Sequence, residues 1–307
     1  MKTIGIDIGG TQTRVAVFEG NQLIAQQRFA TDTQNPKQQV QLLAQTINEL
    51  TATYEAIGVA CPGPLDVKTG TILNPPNLPG WHNFPLQTEL EIATKKMVVI
   101  DNDANLAAFA EAKVGAGKCH DVVQFITLST GVGAGLVVDE RIFHGARGFA
   151  QEVANVIVDE QCDVSGETVK GSVERICSGT GIYELAKHQG LNVASTAEVF
   201  ALAQNQNQVA IQLIDYVANG LANFLASLQG VIDPSIIIVG GSVALHNPEF
   251  IQKIAAKVKT KVYANVSEHV QIVIAECGDA AGVVGAGLWA QKQHKLKMNQ
   301  GEAYESC

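Results

Sequence analysis

Asp7-Ile8-Gly9-Gly10-Thr11-Gln12-Thr13-Arg14 and Leu128-Ser129-Thr130-Gly131-Val132-Gly133-Ala134-Gly135 are two glycine-rich stretches, each set between apolar, β-rich runs. Thr3–Ile6 and Val15–Phe18 flank the first, and Val122–Thr127 and Leu136–Val138 flank the second. A strand, a glycine turn and a second strand let backbone N–H groups approach a phosphate without side-chain obstruction. Two such turns predict a nucleotide gripped between two related halves. The competing reading is a pair of ordinary hairpins that need glycine for positive φ. Asp7 entering the first turn and the Ser129-Thr130 hydroxyls in the second weigh against it. Neither G-x-x-x-x-G-K-[ST] nor G-x-G-x-x-G occurs, so Walker and Rossmann phosphate sites lack their fingerprints.

Outward from these turns the pattern is α/β. Thr3–Ile8, Arg14–Glu19 and Gln22–Phe29 read as strands, and Pro36–Tyr54 as a helix with Val40, Leu43, Ile47 and Leu50 on one stripe. Ile57–Cys61 is a strand. Pro62–Pro85 holds six of the nine prolines and reads as a functional, lid-like loop. Val98–Ile100 is a buried strand and Asn105–Lys113 a helix. The theme then repeats, with a hairpin around the second turn, a third strand at Arg141–Phe143, and helices over Val173–His188 and Gln208–Gln229. Strand Ile236–Val239, helix Pro248–Val262, strand Val270–Ala275 and helix Ala280–Gln291 follow, with a frayed polar end from Lys292. The element order predicts a duplicated α/β protein with its ligand cleft between the halves. The expected lobes are a small one over 1–116, completed by the helix at about 280–295, and a large one over 117–279.

The chain has 307 residues, 46% of them hydrophobic and 17% charged, with a net charge of −9. That supports a sizeable core and argues against nucleic acid as the main partner, which wants a basic surface. A small anion remains compatible, since glycine turns and helix N-termini supply local positive potential. The six cysteines form no C-x-x-C pair and read as buried free thiols, with Cys307 in a mobile tail. Met1-Lys2-Thr3 opens directly into a strand, and apolar runs are too broken to span a membrane. The expectation is a cytoplasmic protein.

Asp101-Asn102-Asp103-Ala104-Asn105 is the strongest catalytic candidate, at the carboxyl end of a buried strand where open α/β sheets place their sites. Asp103 can accept a proton from a hydroxyl, and Asn102 can hold a neighbouring one. The plainer reading is helix capping by Asp and Asn. Asp7 beside a phosphate turn would need Mg²⁺ or its waters in between, or is simply an Asx-turn. Gly240-Gly241 after Ile238-Val239 would let a flat base lie against the backbone, or is a tight β→α connection. Glu152, Asn155 and Glu174 are side chains of the kind that pair with sugar hydroxyls, although each, read alone, fits solvated surface better.

Together these motifs resemble the ROK family of sugar kinases and sugar-responsive repressors. The likeness extends from Asp7–Arg14 through Ala60–Asp66, Asn74–Trp81, Asp101–Asn105, Leu128–Gly135, Gly148–Glu152, Ser178–Thr180 and Val239–Ser242 to Gly278–Gly287. It implies an actin-like ATPase (ribonuclease H-like) fold with two lobes and a central cleft. It implies transfer of the γ-phosphoryl group of ATP, with Mg²⁺, to a hexose, usually at the 6-hydroxyl. By this carry-over Asp103 is the general base, and Gly63, Asn77, Asn102, Glu152, Asn155 and Glu174 border the sugar. Asp7, Gly9, Gly10, Thr11 and Thr13 belong to the first phosphate turn, Thr130 and Gly131 to the second, and Gly240 and Gly241 to the adenosine motif. A homodimer is the usual assembly.

The family's E-x-G-H and cysteine-rich run bind structural zinc. Here they read Glu152-Val153-Ala154-Asn155 and Ser165-Gly166-Glu167-Thr168-Val169-Lys170-Gly171-Ser172-Val173-Glu174. Asn155 replaces the histidine and no cysteine stands in the run, so no zinc is expected. Glucose or a close relative is the expected acceptor, with N-acetylmannosamine or N-acetylglucosamine as the alternative. A non-catalytic sugar-sensing regulator is the alternative of another class. Only six residues precede Asp7, so direct DNA binding is not the expectation.

Overall fold

The computed structural model describes residues 1–162 and 168–305. Residues 165–167 of the run above and Cys307 lie outside them. The chain divides into two compact units. Unit 1 comprises Met1–Val114, His144–Gly148 and the chain from Asp279, and unit 2 comprises Gly115–Phe143 and Phe149–Gly278.

Unit 1 begins with strands β1 (Lys2–Ile8), β2 (Gln12–Glu19) and β3 (Gln22–Ala30). Helix α1 (Pro36–Leu50), strands β4 (Ala56–Cys61), β5 (Leu65–Asp66) and β6 (Thr71–Ile72), helix α2 (Leu86–Thr94), strand β7 (Met97–Asn102) and helix α3 (Asp103–Val114) follow. The main sheet runs β3-β2-β1-β4-β7, antiparallel through the first three strands and parallel from β1 onward. Alternation in β1 buries Ile4, Ile6 and Ile8 on one face, each contributing about 1.5–3 kcal/mol. Helix α1 starts where Asn35 Oδ1 accepts the Gln38 N–H at 3.3 Å, with Pro36 in its first turn. Its stripe of Val40, Leu43 and Ile47 joins that core.

In unit 2 the strands are β8 (Val122–Leu128), β9 (Val132–Val138), β10 (Arg141–Ile142), β11 (Ile236–Gly240) and β12 (Ile272–Ile274). The helices are α4 (Val173–Cys177), α5 (Gly179–His188), α6 (Thr196–Gln204), α7 (Gln208–Ile232), α8 (Gly241–His246), α9 (Pro248–Lys259) and α10 (Ala264–Ser267). The sheet order is β10-β9-β8-β11-β12, antiparallel through the first three strands and parallel from β8 onward, as in unit 1. Helix α7 is long and apolar enough to cross a membrane by composition. Its Leu213, Val217, Leu221 and Leu225 nevertheless build the core of unit 2.

The final helix, α11 (Ala281–Glu305), returns to unit 1. Its first turns are Ala281-Gly282-Val283-Val284-Gly285-Ala286-Gly287, small enough for backbone to meet backbone on β1 and β4. A Cβ on Gly58 of β4 would overlap the Ala286 carbonyl. Farther along, Trp289 meets Phe109 of α3 edge-on at 5.0 Å between ring centroids.

Several elements differ from expectation. The Val173–His188 helix is two helices, because Ser178 ends α4 in extended backbone and its hydroxyl caps α5 at the Gly181 N–H, 2.9 Å away. Helix α11 continues through the polar stretch expected to fray, as nothing there stops a helix. The proline-rich loop is no loose lid. Leu78, Trp81 and Ile72 are fully buried, the Trp81 indole N–H donates to the Asp32 carbonyl at 2.9 Å, and Ile72 pairs with Phe84. Of the cysteines, Cys61, Cys162 and Cys177 are buried free thiols, but Cys119 is exposed.

Candidate active site

In unit 1 the turn after β1 is closed by the Gly9 N–H donating to the Gln12 carbonyl at 2.9 Å. Thr31, at the end of β3, buttresses it. The Thr31 N–H reaches the Thr11 carbonyl at 3.0 Å, and the Thr31 hydroxyl donates to the Gly9 carbonyl at 2.8 Å. Thr11 is exposed at the tip, and Gly9 and Gly10 are half-buried. Thr13 faces inward. It is fully buried, with its hydroxyl shared between Thr31 at 2.9 Å and the Gln39 side-chain amide at 3.0 Å. A Cβ on Gly10 would stand 2.8 Å from the Asn77 Cβ, so only glycine lets the turn and the Asn74–Trp81 segment meet so closely. Gly63 is half-buried in the connection between β4 and β5, and Asn77 is exposed.

The sheet register builds a charged row across this unit. Asp7 on β1 faces Arg14 on β2, which faces Arg28 on β3, while Asp7 opposes Ala60 on β4 and Ala60 opposes Asp101 on β7. Directly opposed residues share a face, so five positions at one level point the same way. Two arginines side by side repel. Asp279 answers both, at 2.6 Å from Arg14 and 3.4 Å from Arg28. A cavity of about 200 Å³ lies beside them, lined by Asp7, Gly9, Thr13, Arg14, Arg28 and Asp279. Burial, then the nearby charge of Asp103, pushes the Asp7 carboxyl up from 3.8 to about 6. Sequence reading missed Arg14, Arg28 and Asp279, which only the register and the turn leading into α11 bring together.

At the end of β7 the chain turns sharply into α3. Asn102 is half-buried, and its Oδ1 accepts the Ala104 N–H at 2.9 Å and the Asn105 N–H at 3.4 Å. For Asn102 the capping reading therefore holds. Asp103 is exposed on the first turn of α3, with Oδ1 accepting the Ala104 N–H at 2.8 Å. Asp101, unassigned by the sequence reading, is fully buried behind them.

In unit 2 the second turn is closed by the Ser129 N–H on the Gly131 carbonyl at 3.0 Å. The Gly179 N–H donates to the Ser129 carbonyl at 2.7 Å, so the start of α5 backs the turn. Glu174 lies at this turn, its Oε2 accepting the Val132 N–H at 2.8 Å. A side chain assigned to the sugar thus sits beside the phosphate turn. Gly240 ends β11 fully inside the unit, and Gly241 opens α8 at φ +83°. Thr130 and Glu152 are exposed. Asn155 is also exposed, and its Oδ1 accepts the Val169 N–H at 3.0 Å, bracing the loop before α4. Among the described residues no group of three or more His, Cys, Asp or Glu is arranged to hold a metal ion. A larger cavity of about 480 Å³, between α6, α7 and α9, contains none of the predicted residues.

Known proteins give this geometry a family. The model of the ROK family matches residues 3–293. An N-acetylmannosamine kinase of Escherichia coli is 32% identical over 294 residues, covering 94% of this chain and 98% of its own. A glucokinase of Halalkalibacterium halodurans is 29% identical over 329 residues, covering 98% of both. A solved ROK hexokinase from Thermus thermophilus has a TM-score of 0.88 at 31% identity, covering 96% of this chain and 99% of that one. The fold is the actin-like ATPase fold of those kinases. With the family model spanning nearly its whole length, the chain belongs to the ROK family.

Proposed function

We propose that this protein phosphorylates a hexose, glucose or a close relative, at its 6-hydroxyl. It is an ATP-dependent sugar kinase, as its full-length kinase relatives are; the proposal concerns the acceptor and the residues. One observation carries it. Asp103, an exposed carboxylate at a helix start, is close enough to Asp7 beside the first glycine turn to raise that carboxyl. A proton acceptor and a phosphate-turn carboxylate therefore belong to one constellation.

In this reading Asp103 accepts the acceptor's hydroxyl proton late, as the oxygen–phosphorus bond develops, so an ordinary carboxylate basicity suffices. Asn102 presents its side-chain amide while its oxygen holds the helix. Asn77, Gly63, Glu152, Asn155 and Glu174 orient the sugar. Gly9, Gly10, Thr11, Thr130 and Gly131 offer backbone N–H groups to the phosphates, and Gly240 and Gly241 lie against the base. A half-buried carboxyl with the like charges of Asp103 and Asp279 nearby, as Asp7 has, suits a divalent cation held through water. Mg²⁺ there would neutralise charge on the transferring phosphoryl group.

N-acetylmannosamine is the second acceptor to try, favoured by the 32% identity to the kinase of that name. The test is ADP release from ATP–Mg²⁺ with glucose, mannose, fructose, N-acetylglucosamine and N-acetylmannosamine, run beside Asp103→Asn. Turnover with one sugar that disappears in the variant supports the reading and names the acceptor. Folded, ATP-binding protein that turns over none of them sinks it in favour of a sensor.

A further inference from the structure

Asp101 is fully buried one residue before Asn102. A buried carboxylate is stable only if its oxygens are partnered. Oδ1 accepts the Asn102 N–H at 2.8 Å and the Asn105 side-chain amide at 2.9 Å. Oδ2 meets His144 Nε2 at 2.7 Å. His144 begins a five-residue stretch, His144–Gly148, that belongs to unit 1 although Phe143 and Phe149 on either side belong to unit 2. The kinase reading gives this histidine nothing to do.

Asp103 is held from both sides by one anchor. Ahead of it, the Asn102 backbone is tied to Asp101. Behind it, Asn105 is tied to Asp101 directly, and the Ala104 N–H to Asn102 Oδ1. We propose that His144 is a positioning residue for phosphoryl transfer, fixing through Asp101 the corner that aims the Asp103 carboxylate at the acceptor hydroxyl. The proposal rests on the reading of Asp103 as general base. The hydrogen bond to Asp101 holds the His144 imidazole above its ordinary 6.5 against the opposing effect of burial, which favours the stronger, charge-assisted bond.

The test compares His144→Ala, His144→Gln and Asp101→Asn. The Gln amide nitrogen can restore the Nε2 hydrogen bond without the charge. His144→Ala is expected to lower kcat on the order of tenfold to a hundredfold, the effect of a misplaced reacting group. KM for ATP changes by less than about threefold, and His144→Gln recovers most of the loss. In the Asp101→Asn background His144→Ala adds little, since the pair acts as one unit. Two readouts need no turnover. Amide exchange at Asn102 and Asn105 accelerates in His144→Ala and returns in His144→Gln, and the wild-type His144 imidazole titrates above 6.5 by NMR. A folded His144→Ala protein with unchanged exchange at those amides overturns the proposal, as does kcat within about twofold of wild type. If the wild type turns over no sugar, the kinase reading has failed separately, and exchange alone decides whether His144 holds the corner.

Discussion

Asp7→Asn makes the protein more stable at neutral pH and has little effect in acid. Burial raises the Asp7 carboxyl most, and the charge of Asp103 comes next, so it titrates at about 6 rather than 3.8. Between those values the folded protein keeps a proton that the unfolded chain has released, so stability falls as pH rises through the window. A tenfold difference in proton affinity is worth about 1.4 kcal/mol, so ionised Asp7 costs the fold about 3 kcal/mol above its folded value. Below 3.8 both states are protonated and the cost vanishes. Asparagine has nearly the same shape and never ionises. Urea titrations of both proteins at about pH 4 and about pH 7.5 measure the difference, with other carboxylates cancelling between them. The expected gain is about 3 kcal/mol at the higher pH and about 0.5 kcal/mol at the lower. An equal difference at both pH values, or a less stable variant at neutral pH, refutes the reasoning. Under the proposed function the same substitution also lowers turnover, because it removes the carboxylate assigned to hold Mg²⁺ through water.

Thr31→Val removes the hydroxyl that holds the Gly9 carbonyl and Thr13. It lowers stability by about 1–2 kcal/mol in thermal unfolding and raises KM for ATP. Gly58→Val places a branched side chain where the Ala286 backbone stands, so no soluble, folded protein is recovered and circular dichroism finds no cooperative transition.

The glycine turns and the Asp101–Asn105 corner were legible because each is local. An alternating or unbroken apolar run ends, and polar or glycine residues follow at once. Asn102 could be read as cap or ligand; its side-chain oxygen does cap α3, and the amide is what the proposed sugar role uses. The row Arg28–Arg14–Asp7–Asp101 was not legible. It depends on strand register, including the irregularity in β2–β3 pairing between Val17 and Phe18, and a shift of one residue would turn Arg28 to the other face. The His144–Asp101 pair spans 43 positions of chain, and no periodicity announces it. Helix α2 went unseen because Pro85 closes a proline-rich stretch that reads as loop, although Leu86 and Leu90 carry a helical stripe.

Helix α11 has a consequence for how the protein is born. The sheet of unit 1 is encoded before Val114, but the helix that lies on its Gly5 and Gly58 comes only after Asp279. A nascent chain that has emerged as far as Gly278 has an entire second unit to fold while one face of the first sheet still waits, wet, for its cover. Only when α11 emerges is the first unit whole. A ribosome that stalls before Asp279 therefore releases a chain whose unfinished part is its beginning, with the sheet face that carries Gly5, Phe18 and Gly58 bare to chaperones and proteases.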